Sequence, residues 1–153
     1  MYPIIFSLFF LFVGLGISVF GVKYLRKARS TLEWPQVNGI VFKSEVVSWA
    51  DSDGDTMYGP RVEYEYSVKG AILHGQRVFV GMGGSSAPGY AEEIVARYPL
   101  ESSVKVSYNP EDSSDAVLEP GISNMVYLPL GLGLFMSVFS VAMLYAACTA
   151  EFT

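Results

Sequence analysis

The chain has 153 residues and a formal net charge of −5, with 51% hydrophobic and only 16% charged side chains. The apolar residues collect at the two ends; the stretch 30–121 between them carries fourteen acidic against six basic side chains, a balance of −8. So acidic a stretch argues against nucleic acid, whose phosphates need Lys and Arg, and a single cysteine, Cys148, excludes an internal disulfide.

Tyr2 to Val22 contains no charged side chain. About 20 apolar residues at 1.5 Å rise cover the roughly 30 Å hydrocarbon core of a bilayer, so the run predicts a transmembrane helix. A cleaved signal fits less well, because the cations Lys23, Arg26, Lys27 and Arg29 follow the apolar core instead of preceding it. Lys23 to Glu33 continues helical in composition, with those cations placed to snorkel toward anionic headgroups, and Pro35 ends it.

A second apolar run, near Met125 to Ala147, closes the chain, and no Lys or Arg occurs after Lys105. Cations beside the first run and none beside the second predict a multi-pass protein of the inner membrane, N- and C-termini outside and the central segment cytoplasmic. The two helices are expected to pack as a hairpin through Gly14 and Ser18 on one and Gly133 and Ser137 on the other, small residues at i,i+4 that let backbones approach in lipid. Neither run holds an ionisable group, which argues against an ion pathway or proton relay. Tyr2, Tyr24, Trp34, Tyr127 and Tyr145 stand where interfacial aromatic belts form. Cys148 reads as a lipid- or helix-facing side chain.

Between the helices the pattern is β. Val37 to Val47 is rich in branched residues, and Asp51-Ser52-Asp53-Gly54-Asp55 is a turn cluster. Arg61 to Val68 alternates strictly, with Val62, Tyr64, Tyr66 and Val68 on one face and Arg61, Glu63, Glu65 and Ser67 on the other, the signature of a half-buried strand. Lys69-Gly70 reverses the chain, and Ala71 to Val80 is expected to pair back with a kink at Gly75. Gly81 to Gly89 reads as a flexible loop. It leads to a short helix, about Pro88 to Tyr98, capped by Ser86 and carrying a Glu93–Arg97 pair. A strand over Val104, Val106 and Tyr108, a turn at Asn109-Pro110, and a last strand from Ala116 to Leu118 complete the segment. The fold class is therefore two transmembrane helices (1–29 and 122–153) flanking a small, mainly antiparallel β domain (30–121), a barrel or sandwich of about five strands with one short helix.

Trp34-Pro35 with Gly39, the strand and turn from Pro60 through Val62, Tyr64, Tyr66 and Val68 to Gly70, and Tyr98-Pro99 running to Val106, Tyr108, Asn109 and Pro110 carry a resemblance. Over roughly Trp34 to Pro120 the chain resembles the bacterial family called "domain of unknown function 3592", with Tyr108-Asn109-Pro110 the most specific part. The resemblance implies flanking membrane helices around a β-rich module and implies no activity. The chain departs from the expected pattern after the short helix, where Leu100-Glu101 stands in place of a glycine.

Catalytic constellations are hard to assemble. His74 is the only histidine, so a His-based metal cluster is excluded. Ser85, His74 and an aspartate could form a hydrolytic set on paper, without a strand–turn–helix nucleophile elbow to support it. Asp51, Asp53 and Asp55 alternate as calcium ligands do, yet Gly54 stands fourth and Val62 twelfth where an EF-hand loop needs Gly sixth and Glu twelfth. An acidic hairpin turn is the expectation, with weak cation binding the alternative. The Gly81 to Gly89 loop precedes a helix as phosphate loops do, but lacks Lys-Ser/Thr and places Glu92 and Glu93 where an anion would sit.

Two function classes follow. The first is a non-enzymatic module anchored in the lipid bilayer, without cofactor, that binds a protein partner or itself, in an envelope-associated or immunity-type role. The second is a small ligand-binding or enzymatic barrel with the Gly81 to Gly89 loop as a lid over His74 and Tyr90.

Overall fold

The computed structural model describes residues 2–150, the side chains at 2–4, 125, 147, 148 and 150 excepted. The interfacial role of the Tyr2 side chain and the environment of Cys148 therefore lie outside the described residues. The chain divides into two compact units, one running from Ala28 to Gly121 and the other gathering the chain before and after it.

The second of these consists of helix α1 (Tyr2–Ser30, of which the last turn belongs to the other unit) and helix α3 (Tyr127–Ala150), the latter entered through a 3-10 turn at Asn124–Val126. Both helices are long and apolar enough to cross a membrane.

In the central unit a 3-10 turn, Thr31–Glu33, follows α1, and Trp34 is extended ahead of Pro35, as the proline ring requires. Strands β1 (Gln36–Ala50) and β2 (Thr56–Val68) form a long hairpin, and β3 (Ala71–Gly75) returns from it. Helix α2 (Pro88–Arg97) precedes β4 (Ser103–Tyr108) and β5 (Ala116–Val117). All pairings are antiparallel, in the order β3-β2-β1-β4-β5.

The barrel or sandwich expected from the strand count is instead one open sheet. Its edges fail to close because β5 is two residues long and the expected strand Ala71 to Val80 stops at Gly75. Tyr64 covers Gly75 so closely that a Cβ there would lie 2.6 Å from the phenol oxygen. Beyond it Val78, Phe79 and Val80 are all buried, which a two-residue alternation cannot achieve. That segment crosses to the other edge, where the Val78 carbonyl accepts N–H groups of Leu118 (3.0 Å) and Glu119 (2.7 Å). The two edges are thus tied at one point by irregular backbone.

One face of the sheet holds the core. Val62, Tyr64, Tyr66 and Val68 are buried with Val41 and Val106, and α2 lies over them through Ala91 and Ile94. Gly39 sits beneath Tyr66 and Val106, where a Cβ would approach Val106 Cγ2 to 2.8 Å. The β2–β3 turn places both Lys69 and Gly70 at positive φ, as the tightest hairpins do. At the two ends of α2 the expected cap and pair give way to others. Ala87 occupies the N-cap position, the Ser85 hydroxyl accepts its N–H (3.1 Å), and Arg97 pairs with Glu119 (2.7 Å).

Candidate interaction surface

The other face of the sheet is uncovered. Antiparallel register sets Ile40 opposite Glu65, Glu65 opposite His74, and Ile72 opposite Ser67, all pointing away from the core. A register shift between Val41 and Lys43 adds Phe42 to this outer face, where its ring meets His74 edge-on at 5.4 Å. Ile40, Phe42 and Ile72 are 57%, 46% and 65% exposed, a concentration of large apolar side chains on a folded surface. A shallow depression of about 300 Å³ runs between Ile40 and Ile72, edged by Asn38, Glu65 and Ser103. Polar side chains border the patch in pairs: His74 Nε2 lies 3.3 Å from Glu65, and Lys43 (3.2 Å) and Arg61 (3.3 Å) both pair with Glu45. Beside Ile72, β3 hydrogen-bonds to β2 alone, leaving its other edge as a sheet edge.

Trp49 marks the far end of the same face. Its ring lies across Gly59 and Gly84 so tightly that a Cβ on either would come within 2.9 Å of it. Tyr58 and Ser85 exchange both backbone hydrogen bonds at 2.8 Å, so the Gly81 to Gly89 loop continues the sheet beside β2. The expected flexible lid is a docked segment, because glycine lets its backbone lie flat under the indole.

The candidate chemistry disperses. Ser85 pairs with Tyr58 and His74 with Glu65, positions seven residues apart on β2, or about 23 Å at strand rise. The Ser85–His74 set is therefore not assembled. Asp51 Oδ1 accepts the N–H groups of Asp53 (2.9 Å) and Asp55 (3.0 Å), with Gly54 at φ +88 closing a three-residue loop. Among the described residues no three His, Cys, Asp or Glu groups are placed to hold a metal. Tyr90 lies half-buried on α2, where burial pushes its phenol pKa up.

Three other tyrosines carry a polar lining through the core's rim. Tyr64 donates to the Arg77 carbonyl (2.9 Å), Tyr66 to the Ser113 carbonyl (2.6 Å) and Tyr98 to Glu119 (2.7 Å). Arg77 is in turn paired with Asp115. Burial raises the phenol pKa of all three; for Tyr64 the adjacent Tyr66 adds to it, and for Tyr98 the Glu119 carboxylate does. In the Tyr108-Asn109-Pro110 element the Asn109 side chain accepts the Glu111 N–H (3.0 Å), and the Asn109 N–H reaches the Asp115 carbonyl (2.8 Å).

In the helical unit, Gly14 faces Ser137 and Gly133 faces Ser18. A Cβ on Gly14 would lie 2.7 Å from Ser137 Oγ, and one on Gly133 2.6 Å from the Ser18 nitrogen. Both serine hydroxyls donate to carbonyls of their own helix four residues back, Ser18 to Gly14 and Ser137 to Gly133, at 2.8 Å. Lys23, Arg26, Lys27 and Arg29 are exposed along the last turns of α1, and Trp34 is half-buried. The outer-face patch escaped sequence reasoning because the register shift at Phe42 breaks the alternation that would have marked it.

Residues 37–123, more than half of the chain, match the family model described as "Domain of unknown function (DUF3592)". No curated protein matches the chain.

Proposed function

We propose, from the premise that this chain belongs to the DUF3592 family of unknown function, that it is a non-enzymatic, membrane-anchored docking module. α1 and α3 span the bilayer as a hairpin, and the central unit lies on the cytoplasmic side of a bacterial inner membrane. The four cations after Val22, against none beside α3, support that orientation. The single observation that carries the docking role is the uncovered outer face of β1, β2 and β3 with Ile40, Phe42 and Ile72 exposed on it. The partner is a protein presenting an apolar patch with a basic rim, since a segment of balance −8 attracts cations and repels a second copy of itself.

The test places a photocrosslinking side chain at Phe42, at Ile72, and at Glu92 on α2 as a control, in cells. A discrete adduct from Phe42 and Ile72 alone, weakened by Ile40→Asp and by raised salt, is the expected result. Adducts from all three positions alike, or from Glu92 only, would remove the outer face from consideration. Reporter fusions after Thr153 and within the Gly81 to Gly89 loop check the topology independently. A loop fusion active only outside the cytoplasm overturns the orientation.

A further inference from the structure

Helix α1 does not stop where its apolar run stops. Val22 is the last residue of the charge-free run, yet the helix continues to Ser30. Lys23, Arg26 and Lys27 are exposed on these turns, and their i, i+3, i+4 spacing puts them on one face. The contacts between the two apolar helices fix what stands beside them. Gly14 faces Ser137; seven residues further along α1, Gly21 faces Leu130, seven residues earlier on α3, where a Cβ would lie 2.7 Å from the Leu130 nitrogen. The same antiparallel register brings Tyr24 level with Tyr127, and Lys27 level with Asn124 at the turn into α3. Both tyrosines are exposed. No Asp or Glu occurs before Glu33 or between Glu119 and Glu151, so α3 brings no carboxylate to this level.

We propose that Lys23, Arg26 and Lys27 form a headgroup site for an anionic phospholipid, in the leaflet from which α1 emerges. The inference rests on the membrane-spanning reading of α1 and α3 and goes beyond it by naming the lipid. Lys23 to Lys27 covers about 6 Å at helical rise, and the polar layer on each side of a hydrocarbon core is about 5 to 7 Å deep. The three cations therefore fill that layer, where Tyr24 and Tyr127 take the place usual for interfacial rings. A guanidinium presents a planar fork that matches two phosphate oxygens, and the two ammonium groups flank it as point charges. A zwitterionic headgroup carries its own cation into the same place, and three fixed positive charges repel it. An anionic headgroup carries none, so charge complementarity selects the anionic class. Free phosphate would meet the cations alone. A lipid is held as well by its tails, which lie along the apolar run that ends at Val22.

The test reconstitutes the full chain in vesicles of phosphatidylglycerol and phosphatidylcholine at equal mole fraction, extracts it into a non-ionic detergent and counts the retained lipids by native mass spectrometry. Phosphatidylglycerol should exceed phosphatidylcholine by at least about five-fold, the effect of one cation near an anionic surface. Replacing Lys23, Arg26 and Lys27 together by Gln should bring the ratio to parity, whereas Lys69→Gln with Lys105→Gln, in the central unit, should leave it unchanged. Lys23→Arg with Lys27→Arg keeps the charge and should keep the ratio, so the proposal stays open to refutation even if the neutral variant fails to insert. Parity in the wild type, a preference that survives the triple replacement, or its loss in the arginine or central-unit variants would overturn the proposal. So would displacement of phosphatidylglycerol by millimolar inorganic phosphate beyond the effect of chloride at the same ionic strength, which would mark a site for free anions. An alkaline wash of the vesicles separates the two levels. A chain released by it sinks the membrane reading and this site with it, whereas a retained chain without lipid preference sinks the headgroup site only.

Discussion

Thr31 and Gly121, ninety positions apart, share one hydroxyl: Thr31 Oγ1 donates to the Ala28 carbonyl (2.8 Å) and accepts the Gly121 N–H (2.7 Å). Both residues are buried, and they stand at the entry and exit of the central unit. The bond closes that unit at its two chain ends, next to where each apolar helix begins or leaves off. Gly121 reaches this position at φ +112, with Leu32 packed against its backbone.

Removing this hydroxyl should loosen the base of the unit. Thr31→Val keeps the shape and leaves a buried N–H unsatisfied, at a cost of about 1–3 kcal/mol. Thr31→Ser should restore most of it. Gly121→Ala meets both the positive φ and Leu32, and should cost more than about 1 kcal/mol. Denaturant unfolding of the full chain in detergent, followed by tryptophan fluorescence, measures all three. Equal stability of the Val and Ser variants would show that the bond contributes nothing.

Tyrosine ionisation offers a reading of the core without mutation. Burial raises the phenol pKa of Tyr64, Tyr66, Tyr90 and Tyr98 above the ordinary value of 10.0. Because the folded value lies above the unfolded one, their contribution to stability is complete below about pH 10 and is lost as pH rises through the folded value. Absorbance titration near 295 nm, repeated on Tyr→Phe variants at these four positions, should show that the phenols they remove ionise above the ordinary value and only as the protein unfolds. Ionisation of these four near pH 10 in the folded chain would refute the burial of their rings. Tyr66→Ala should cost about 3–5 kcal/mol, the figure for emptying a buried aromatic site.

The position where the chain lacks the expected glycine is strained. Glu101 adopts φ +63, held there by its N–H on the Val41 carbonyl (2.8 Å) and by Ser102 N–H on the Pro99 carbonyl (3.2 Å). A left-handed conformation costs an L-residue about 1–2 kcal/mol, and glycine's greater freedom in the unfolded chain offsets part of the relief. Glu101→Gly is therefore expected to stabilise by about 0.5–1 kcal/mol, visible as a higher melting temperature. Glu101→Val, branched at Cβ, should move it the other way. A lower melting temperature for the glycine variant would mean that the carboxylate does something the backbone geometry does not reveal.

In the acidic turn, Asp51 Oδ1 accepts two backbone N–H groups, so the carboxylate closes the turn by itself without a cation. Asp51→Ala should cost about 1 kcal/mol and Asp51→Asn, which keeps the acceptor, much less. Melting in millimolar calcium and in chelator should coincide, in the wild type and in the triple Asp→Asn variant alike. A calcium-dependent rise that disappears in the triple variant would establish a cation site.

Several of these features were legible in the chain itself because they depend on neighbours. The alternation from Arg61 to Val68 puts Tyr64 and Tyr66 inside, since a slip of one residue would bury Glu63 and Glu65. The reversal at Lys69-Gly70, the acidic turn, the break at Pro35 and the two charge-free helical runs are likewise local, set by φ preferences, side-chain period and length. Gly14, Ser18, Gly133 and Ser137 could be named from spacing alone, though which residues they face could not.

What only the tertiary structure decided depends on groups distant in sequence. Whether the strands close into a barrel turns on the crossing of Val78 to Leu118, which no local pattern encodes. The glycine-rich loop reads as mobile until Trp49, more than thirty residues earlier, is seen lying over Gly84. Arg97 prefers Glu119 to the Glu93 four residues away on its own helix, because β5 brings that carboxylate beside Tyr98. The exposed row of Ile40, Phe42 and Ile72 comes from three positions that become one surface only through strand register and a one-residue shift. Local composition sets which elements form; long-range hydrogen bonds and packing, unpaired until the chain folds, set which residues they bring together.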